Sequence, residues 1–243
     1  MKNDKIDARN LALYLKGGLL QLVQVPDIDL EEDRDLVRLK DIKMKNVVKG
    51  KLRIKSFLLR KGIDYDHEKT WSKKFFDWLG TMELSSKDRF TLNRLLNDLN
   101  YSIKFVKELE EDIFEVSQSN RYRDIAHVLC GFRGIQTNTA MMIATNIVDF
   151  RTFSNPKSLA SFVGVTLGFN DSGETKRGLG ITKQGNNMLR KAFVNAAQHY
   201  MKTGTTGTIL RVRRQRLSSN ILNVVQRCAK NNGAKVHFVV TGN

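Results

Sequence analysis

The stretch LNRLLNDLNYSIKFVKELEEDIFEV, from Leu92 to Val116, decides the fold of this chain. Its apolar residues recur every three or four positions without interruption: Leu92, Leu95, Leu99, Ile103, Val106, Leu109, Ile113 and Val116. That spacing is the seam of a coiled coil. A second helical pattern runs from Asp35 to about Lys61, and its apolar side is expected at Leu36, Leu39, Val47, Val48, Leu52 and Leu58. The sequence therefore predicts two long antiparallel helices, or a pair that meets the same helices of a second subunit.

An aromatic cluster lies between the two long helices: Trp71, Phe75, Phe76, Trp78 and Leu79. Exposed rings can stack on the bases of single-stranded nucleic acid. The i, i+4 and i+7 spacing instead favours a short helix that packs against the long pair. Packing is the interpretation that we adopt.

The N-terminal residues predict a helix over 3–16 that stops at Gly17-Gly18, followed by a short strand that ends at Pro26. Asp4 and Asp7 lie three positions apart at the start of this helix. Their carboxylates can share one face and bind a divalent cation. Capping of the helix N-terminus explains the same spacing and is the stronger reading of it.

The charge of the chain changes character near residue 120. Residues 1–120 carry 23 Lys+Arg and 21 Asp+Glu, whereas residues 121–243 carry 18 and 4, a balance of +14. A module this basic favours a polyanionic partner. Cys130 and Cys228 form neither a zinc pattern nor a disulfide framework. No apolar run is long enough to span a bilayer and no signal peptide is recognised, so we expect a soluble, cytoplasmic protein that binds no membrane.

The basic part opens with Leu129-Cys130-Gly131-Phe132-Arg133-Gly134-Ile135, between predicted helices at about 122–130 and 137–147. A glycine turn between two helices can expose backbone N–H groups to a phosphate, which makes Gly131, Arg133 and Gly134 candidate DNA-binding residues. The alternative is a plain helix–helix connection with glycine at the C-cap. Further helices are expected after Pro156 and from Asn187 to about Lys202.

A glycine-rich basic loop is predicted between these last two helices, and it contains Asp171-Ser172-Gly173. Ser172 can be an activated nucleophile, whose transition state nearby cations would stabilise. A turn serine is the more ordinary explanation of such a residue. The cations that are candidates for binding DNA in and after the loop are Lys176, Arg177, Lys183, Arg190 and Lys191.

Taken together, these residues resemble the insertion-sequence transposases with a DEDD motif, whose members act as RNA-guided (bridge-RNA) DNA recombinases. The resemblance covers nearly the whole chain and is most specific at Gly134-Ile135, Phe150 to Pro156, Ala160 to Gly164, Asp171-Ser172-Gly173 and Gly180 to Asn186. Its N-terminal mark is the segment from Asn3 to Ala12, which looks like the end of the family's ribonuclease-H-like domain.

The resemblance implies that Asp4 and Asp7 are the last two acids of a four-acid Mg²⁺ site and that Ser172 attacks a DNA phosphodiester. It also implies DNA and a structured guide RNA as partners, and a dimer or tetramer formed through the coiled coil. The family usually has two adjacent serines before the glycine, whereas Asp171 stands in the first position here. The earlier acids do not precede Asp4, and Val236 to Asn243 look like the opening of the family's last helix. We therefore expect a truncated copy that is inactive alone.

The expected fold is mainly α, with three parts. They are a remnant of the ribonuclease-H-like domain (1–26), a coiled-coil helical hairpin (27–120) and an α-rich helix-hairpin-helix DNA-binding domain (121–243). The predicted function is that of a transposase or recombinase. The alternative is a non-enzymatic helix-hairpin-helix DNA-binding protein with a coiled-coil oligomerisation arm.

Overall fold

The structure is a computed structural model that describes residues 4–19, 25–66, 70–172, 175–201, 208–215 and 217, with the backbone alone for 169–172, 175–179 and 201. This part of the chain is mainly helical, as predicted. The helices are α1 (Asp4–Lys16), α2 (Ile28–Arg60), α3 (Lys73–Thr81), α4 (Ser86–Ser117), α5 (Arg123–Cys130), α6 (Thr137–Asn146), α7 (Pro156–Val163), α8 (Asn187–Met201) and α9 (Thr208–Gln215). A short 3₁₀ turn covers Phe150–Thr152.

The two long helices α2 and α4 pack side by side and run antiparallel. Ion pairs join Lys40 to Glu110 and Lys61 to Asp88, so an early residue of α2 meets a late residue of α4 and the reverse. Their shared core includes Ile54, Leu92 and Leu99, which have no exposed surface. The prediction of an antiparallel helical pair is confirmed within one chain, and a second subunit stays a prediction.

The start of α2 and its apolar side differ from the prediction. The helix begins at Ile28, because the Asp27 carboxylate accepts a hydrogen bond from the Leu30 N–H at 2.8 Å and caps the N-terminus. Leu52 was expected on the buried side, yet it is 58% exposed. Val47 and Leu58 are buried as predicted, and the buried side also includes Val37, Ile54 and Phe57. This basic, lysine-rich helix has apolar residues on several faces. Which face is buried is therefore decided by the helices that pack against it.

Helix α3 carries the aromatic cluster and packs against the long pair. Phe75 is 1% exposed and Leu79 is fully buried in the same core as Leu92. The ring of Trp71 lies 4.9 Å from that of Phe75 in an edge-on arrangement, which is how aromatic rings pack in a core. Packing against the long helices is confirmed for this cluster.

The second half of the chain packs onto the helical pair at the end where α2 begins and α4 ends. Leu30 and Val37 of α2 and Ile113 of α4 share a buried cluster with Met141 of α6. The guanidinium of Arg34 reaches the same place and donates to the Thr145 carbonyl at 3.0 Å. A further core forms from α5, α6, α7 and α8, centred on Ala140, Ile143, Val163 and Leu189.

The predicted basic loop is a β-hairpin, which corrects the sequence-based expectation. Strand β1 (Leu167–Ser172) pairs antiparallel with β2 (Thr175–Ile181). The glycines of this segment gave no alternating apolar pattern, so nothing in the sequence pointed to strands. Within the described residues the two strands pair only with each other, as a two-stranded sheet. No helix within the described ranges is long and apolar enough to cross a membrane.

Candidate functional site

Ser172 is the last residue of β1 and lies at the tip of the β-hairpin. In the register, Ser172 is opposite Thr175, Asp171 is opposite Lys176, and Asn170 is opposite Arg177. Positions two apart in a strand belong to one face of a sheet. Ser172 and Arg177 therefore occupy positions on one face, and Lys176 occupies a position on the other. Gly173, the third residue of the predicted motif, lies outside the described residues.

The base of the β-hairpin is fixed by close backbone contacts, which we call the clamp: Phe162–Thr166 against Thr182–Gly185. The Lys183 N–H donates to the Gly164 carbonyl at 3.1 Å, and the Thr182 N–H donates to the Thr166 carbonyl at 2.9 Å. Gly164 has φ of 76°, and a Cβ there would lie 1.7 Å from the Gln184 carbonyl oxygen. At Gly185, with φ of 100°, a Cβ would lie 2.1 Å from the Phe162 carbonyl oxygen. Only glycine fits at either crossing.

Asn186 follows the clamp and joins it to α6 and α8. Its Oδ1 accepts from the N–H groups of Met188 at 2.8 Å and Leu189 at 3.3 Å, which caps α8. Its Nδ2 donates to the Oδ1 of Asn146, at the end of α6, at 2.6 Å. Sequence reasoning named Asn186 only as the end of a family-like segment and gave neither asparagine a role. The signal that could have found Asn186 is its position just before a helix, where asparagine is a favoured N-cap.

The glycine turn between α5 and α6 faces the protein. The backbone N–H of Arg133 donates to the Tyr200 hydroxyl of α8 at 2.8 Å, and those of Gly131 and Phe132 donate to the Val128 and Leu129 carbonyls of α5. A Cβ at Gly134, where φ is 83°, would lie 3.0 Å from the Ala196 backbone. These contacts give the glycines a packing role, as in the alternative reading of the sequence. Phosphate binding by Gly131, Arg133 and Gly134 stays a prediction.

Helix α9 closes the other side of this turn, and sequence reasoning did not predict it. Its Arg214 is 9% exposed and donates from Nε to the Gly131 carbonyl at 3.1 Å. A Cβ at Gly131 would lie 2.5 Å from Leu217 Cδ1. Beside the turn, burial raises the pKa of the Cys130 thiol, so this cysteine is held as the neutral thiol at neutral pH. Cys228 and Val236 to Asn243 lie outside the described residues.

The predicted cations are placed unequally. Lys183 is exposed in the clamp with φ of 55°, and Lys191 is exposed on α8. Arg190 is half-buried and donates to the Val163 carbonyl at 3.2 Å and to Asn187 Oδ1 at 3.4 Å. Its guanidinium therefore helps to hold α7 against α8. Lys176 and Arg177 are described only as backbone positions in β2.

Asp4 and Asp7 lie in the first turn of α1, exposed, on a helix with no buried residue. No group of three or more His, Cys, Asp or Glu side chains in the described ranges can hold a metal ion. Proteins bind Mg²⁺ mainly through one or two carboxylates together with water and substrate phosphates, so these two residues are only part of a magnesium site. No chemical step is therefore derived through magnesium, and its binding stays a prediction.

Comparison with known proteins places this site within a known sequence family. Residues 126–208 match the family described as Transposase IS116/IS110/IS902 family, a range that includes the β-hairpin, the clamp and α8. The chain is 27% identical over 221 residues to a Sinorhizobium fredii protein named as a transposase, covering 91% of this chain and 54% of that protein.

Two further relatives carry names that refer to insertion sequences. The Leptospira borgpetersenii transposase for insertion sequence element IS1533 is 26% identical over 165 residues, covering 67% of this chain and 48% of the relative. The Coxiella burnetii transposase for insertion sequence element IS1111A is 23% identical over 213 residues, covering 83% and 55%. The chain thus spans about half the length of these curated relatives.

Proposed function

We propose that this chain, which is similar to several insertion-sequence transposases, binds DNA through residues 121–243 and that Ser172 is the nucleophile for strand exchange. The observation that carries the proposal is the position of Ser172 at the tip of the β-hairpin. The base of that hairpin is held by contacts that tolerate only glycine. A residue at the tip of an anchored hairpin can contact a DNA phosphodiester that the rest of the module cannot reach.

The charge of the module supports DNA as the partner. Residues 121–243 carry 18 Lys+Arg against 4 Asp+Glu. Lys183 is exposed at the base of the β-hairpin, Lys191 is exposed on α8, and Arg177 occupies a position on the face of Ser172. Cations at these places would bind DNA phosphates.

The proposed chemistry is a transesterification. The Ser172 oxygen forms a bond to the phosphorus, the bond from phosphorus to the leaving deoxyribose oxygen breaks, and that oxygen takes up the proton released by the serine. The phosphoserine ester conserves the bond energy, so the reverse reaction with another strand end rejoins DNA without an external energy source. Guide-RNA binding, magnesium binding by Asp4 and Asp7, and oligomerisation through α2 and α4 remain parts of the proposal that follow from the family resemblance.

The test is the formation of a covalent protein–DNA adduct. Because the chain alone is expected to be inactive, it is restored to the length of its relatives by adding the parts of a relative that it does not cover. This restored protein is incubated with Mg²⁺, with DNA fragments that cover the flanks of the gene, and with RNA transcribed from those flanks. Adducts that survive denaturing detergent are then counted. We expect adducts with the wild type and with Ser161→Ala, a control at an exposed serine of α7, and none with Ser172→Ala. Adducts of equal yield in Ser172→Ala would refute the role of Ser172.

A further inference from the structure

We propose that Asn146 and Asn186 are positioning residues, which together form a latch that sets the direction of the Ser172 β-hairpin. The inference rests on the proposed nucleophilic role of Ser172. The latch is the hydrogen bond from Asn186 Nδ2 to Asn146 Oδ1, at 2.6 Å. It spans 40 residues of sequence and links the end of α6 to the segment that leaves the clamp.

The orientation of the Asn186 amide follows from its neighbours. Two backbone N–H groups, those of Met188 and Leu189, require an acceptor and take the Oδ1. The NH₂ end of the amide must therefore face Asn146, where it finds an oxygen. One side chain thus caps α8 and binds α6 at the same time.

Asn146 is the fixed side of the latch. Its side chain is buried, and its Nδ2 donates to the Met142 carbonyl at 2.8 Å. It ends α6, whose Ala140 and Ile143 are fully buried. Arg34 of α2 binds the adjacent Thr145 carbonyl, so the latch is attached both to the core and to the long helical pair.

The β-hairpin acts as a lever on this base. From Leu167 to Ser172 the strand extends roughly 17 Å, at about 3.3 Å per residue. A rotation of about 10° at the base would move the tip by about 3 Å, whereas a misplacement of about 1 Å can slow a reaction about 100-fold. The glycine contacts of the clamp fix how closely the two backbone segments approach. The latch lies outside the clamp, and its hydrogen bond resists rotation of the β-hairpin about its base.

Asn186→Ser separates the two tasks of Asn186. Serine caps a helix about as well as asparagine, but its hydroxyl is too short to reach Asn146. Asn146→Ala removes the same hydrogen bond from the other side. Asn187→Ser is the matched control, because it makes the same substitution one residue further along, where the side chain only meets Arg190 at the surface.

The experiment measures adduct formation on the restored protein and hydrogen exchange on the full chain. With the same flanking DNA and RNA, we expect Asn186→Ser and Asn146→Ala each to lower the adduct rate at saturating DNA about tenfold or more. The half-saturating DNA concentration should stay within about twofold of the wild type. The double variant should be no slower than the slower single variant, since both substitutions remove one interaction.

Exchange of the Thr182 and Lys183 amide protons reports the base of the hairpin without any catalysis. It should quicken in both latch variants and stay unchanged in Asn187→Ser. The latch proposal is overturned if the adduct rate falls only in proportion to the loss of overall stability. It is also overturned if the Thr182 and Lys183 amide protons of the latch variants exchange as they do in the wild type. If the wild-type protein restored to the length of its relatives forms no adduct, the proposed function is overturned instead, and hydrogen exchange alone then tests the latch.

Discussion

The substitution Gly164→Ala tests the clamp most directly. The added Cβ would lie 1.7 Å from the Gln184 carbonyl oxygen, which belongs to the backbone and cannot turn away as a flexible side chain can. The two backbone segments must therefore separate. Their separation breaks the hydrogen bonds from Lys183 N–H to the Gly164 carbonyl and from Thr182 N–H to the Thr166 carbonyl.

The expected cost combines two effects. A non-glycine residue in the left-handed region costs about 1–2 kcal/mol, and two lost backbone hydrogen bonds cost about 0.5–1.5 kcal/mol each, giving about 2–5 kcal/mol in all. Gly62→Ala is the matched control. Gly62 has nearly the same backbone conformation, with φ of 69°, but no atom lies within 4 Å of its added Cβ. It should therefore cost only the first about 1–2 kcal/mol.

Urea unfolding followed by circular dichroism gives the two free energies of unfolding. Hydrogen exchange at Thr182 and Lys183 shows whether the clamp opens locally before the whole chain unfolds. We expect Gly164→Ala to exceed Gly62→Ala by at least about 1 kcal/mol, or to expose those two amides to fast exchange. If Gly164→Ala costs no more than the control and both amides stay protected, the account of the clamp is wrong.

Two other predictions concern charge. Arg121 donates to the Asp27 carboxylate and holds its pKa below the usual value of 3.8. The ionised carboxylate therefore stabilises the fold above its unfolded pKa, and this stability is lost as the pH falls through the lowered pKa of the folded protein. We expect the Tm of the wild type to fall more steeply than that of Asp27→Asn between about pH 5 and pH 2. Equal slopes would remove the pairing from the account. The affinity of the chain for a random DNA duplex of about 40 bp, which is longer than one binding module, should fall by about a thousandfold from about 50 to about 200 mM salt. The double substitution Lys183→Gln and Lys191→Gln should reduce the slope of log affinity against log salt concentration by about two. A slope that these substitutions leave unchanged would show that DNA does not contact this surface.

Local sequence pattern was enough to predict most helices of the chain. The three- and four-residue spacing from Leu92 to Val116 predicted α4, and the predicted helix after Pro156 corresponds to α7, where proline at the first turn and the Asn155 cap fix the start. These signals are short-ranged, because capping and helical periodicity depend on residues within a few positions. The same signals failed for the orientation of α2, since which side of a basic helix is buried depends on α4 and α6.

The candidate site divides in the same way. The residues alone made Ser172 a candidate nucleophile, with a turn serine as the more ordinary explanation, and its proposed role comes from the family resemblance. The residues gave no sign that the segment is a β-hairpin, that Arg177 occupies a position on the face of Ser172, or that Lys176 occupies the other. Those facts come from strand pairing, which joins residues by register rather than by order.

The sequence by itself determined that this chain is mainly helical, that its second half is basic, and that it contains a serine in a glycine-rich segment. Only the tertiary structure decided that Gly164 and Gly185 cross the facing backbone, that Gly131 and Gly134 pack against α9 and α8, and that Asn186 binds Asn146. The reason is physical. A close approach between segments far apart in sequence depends on where the whole core places them, and no local pattern of residues encodes that distance.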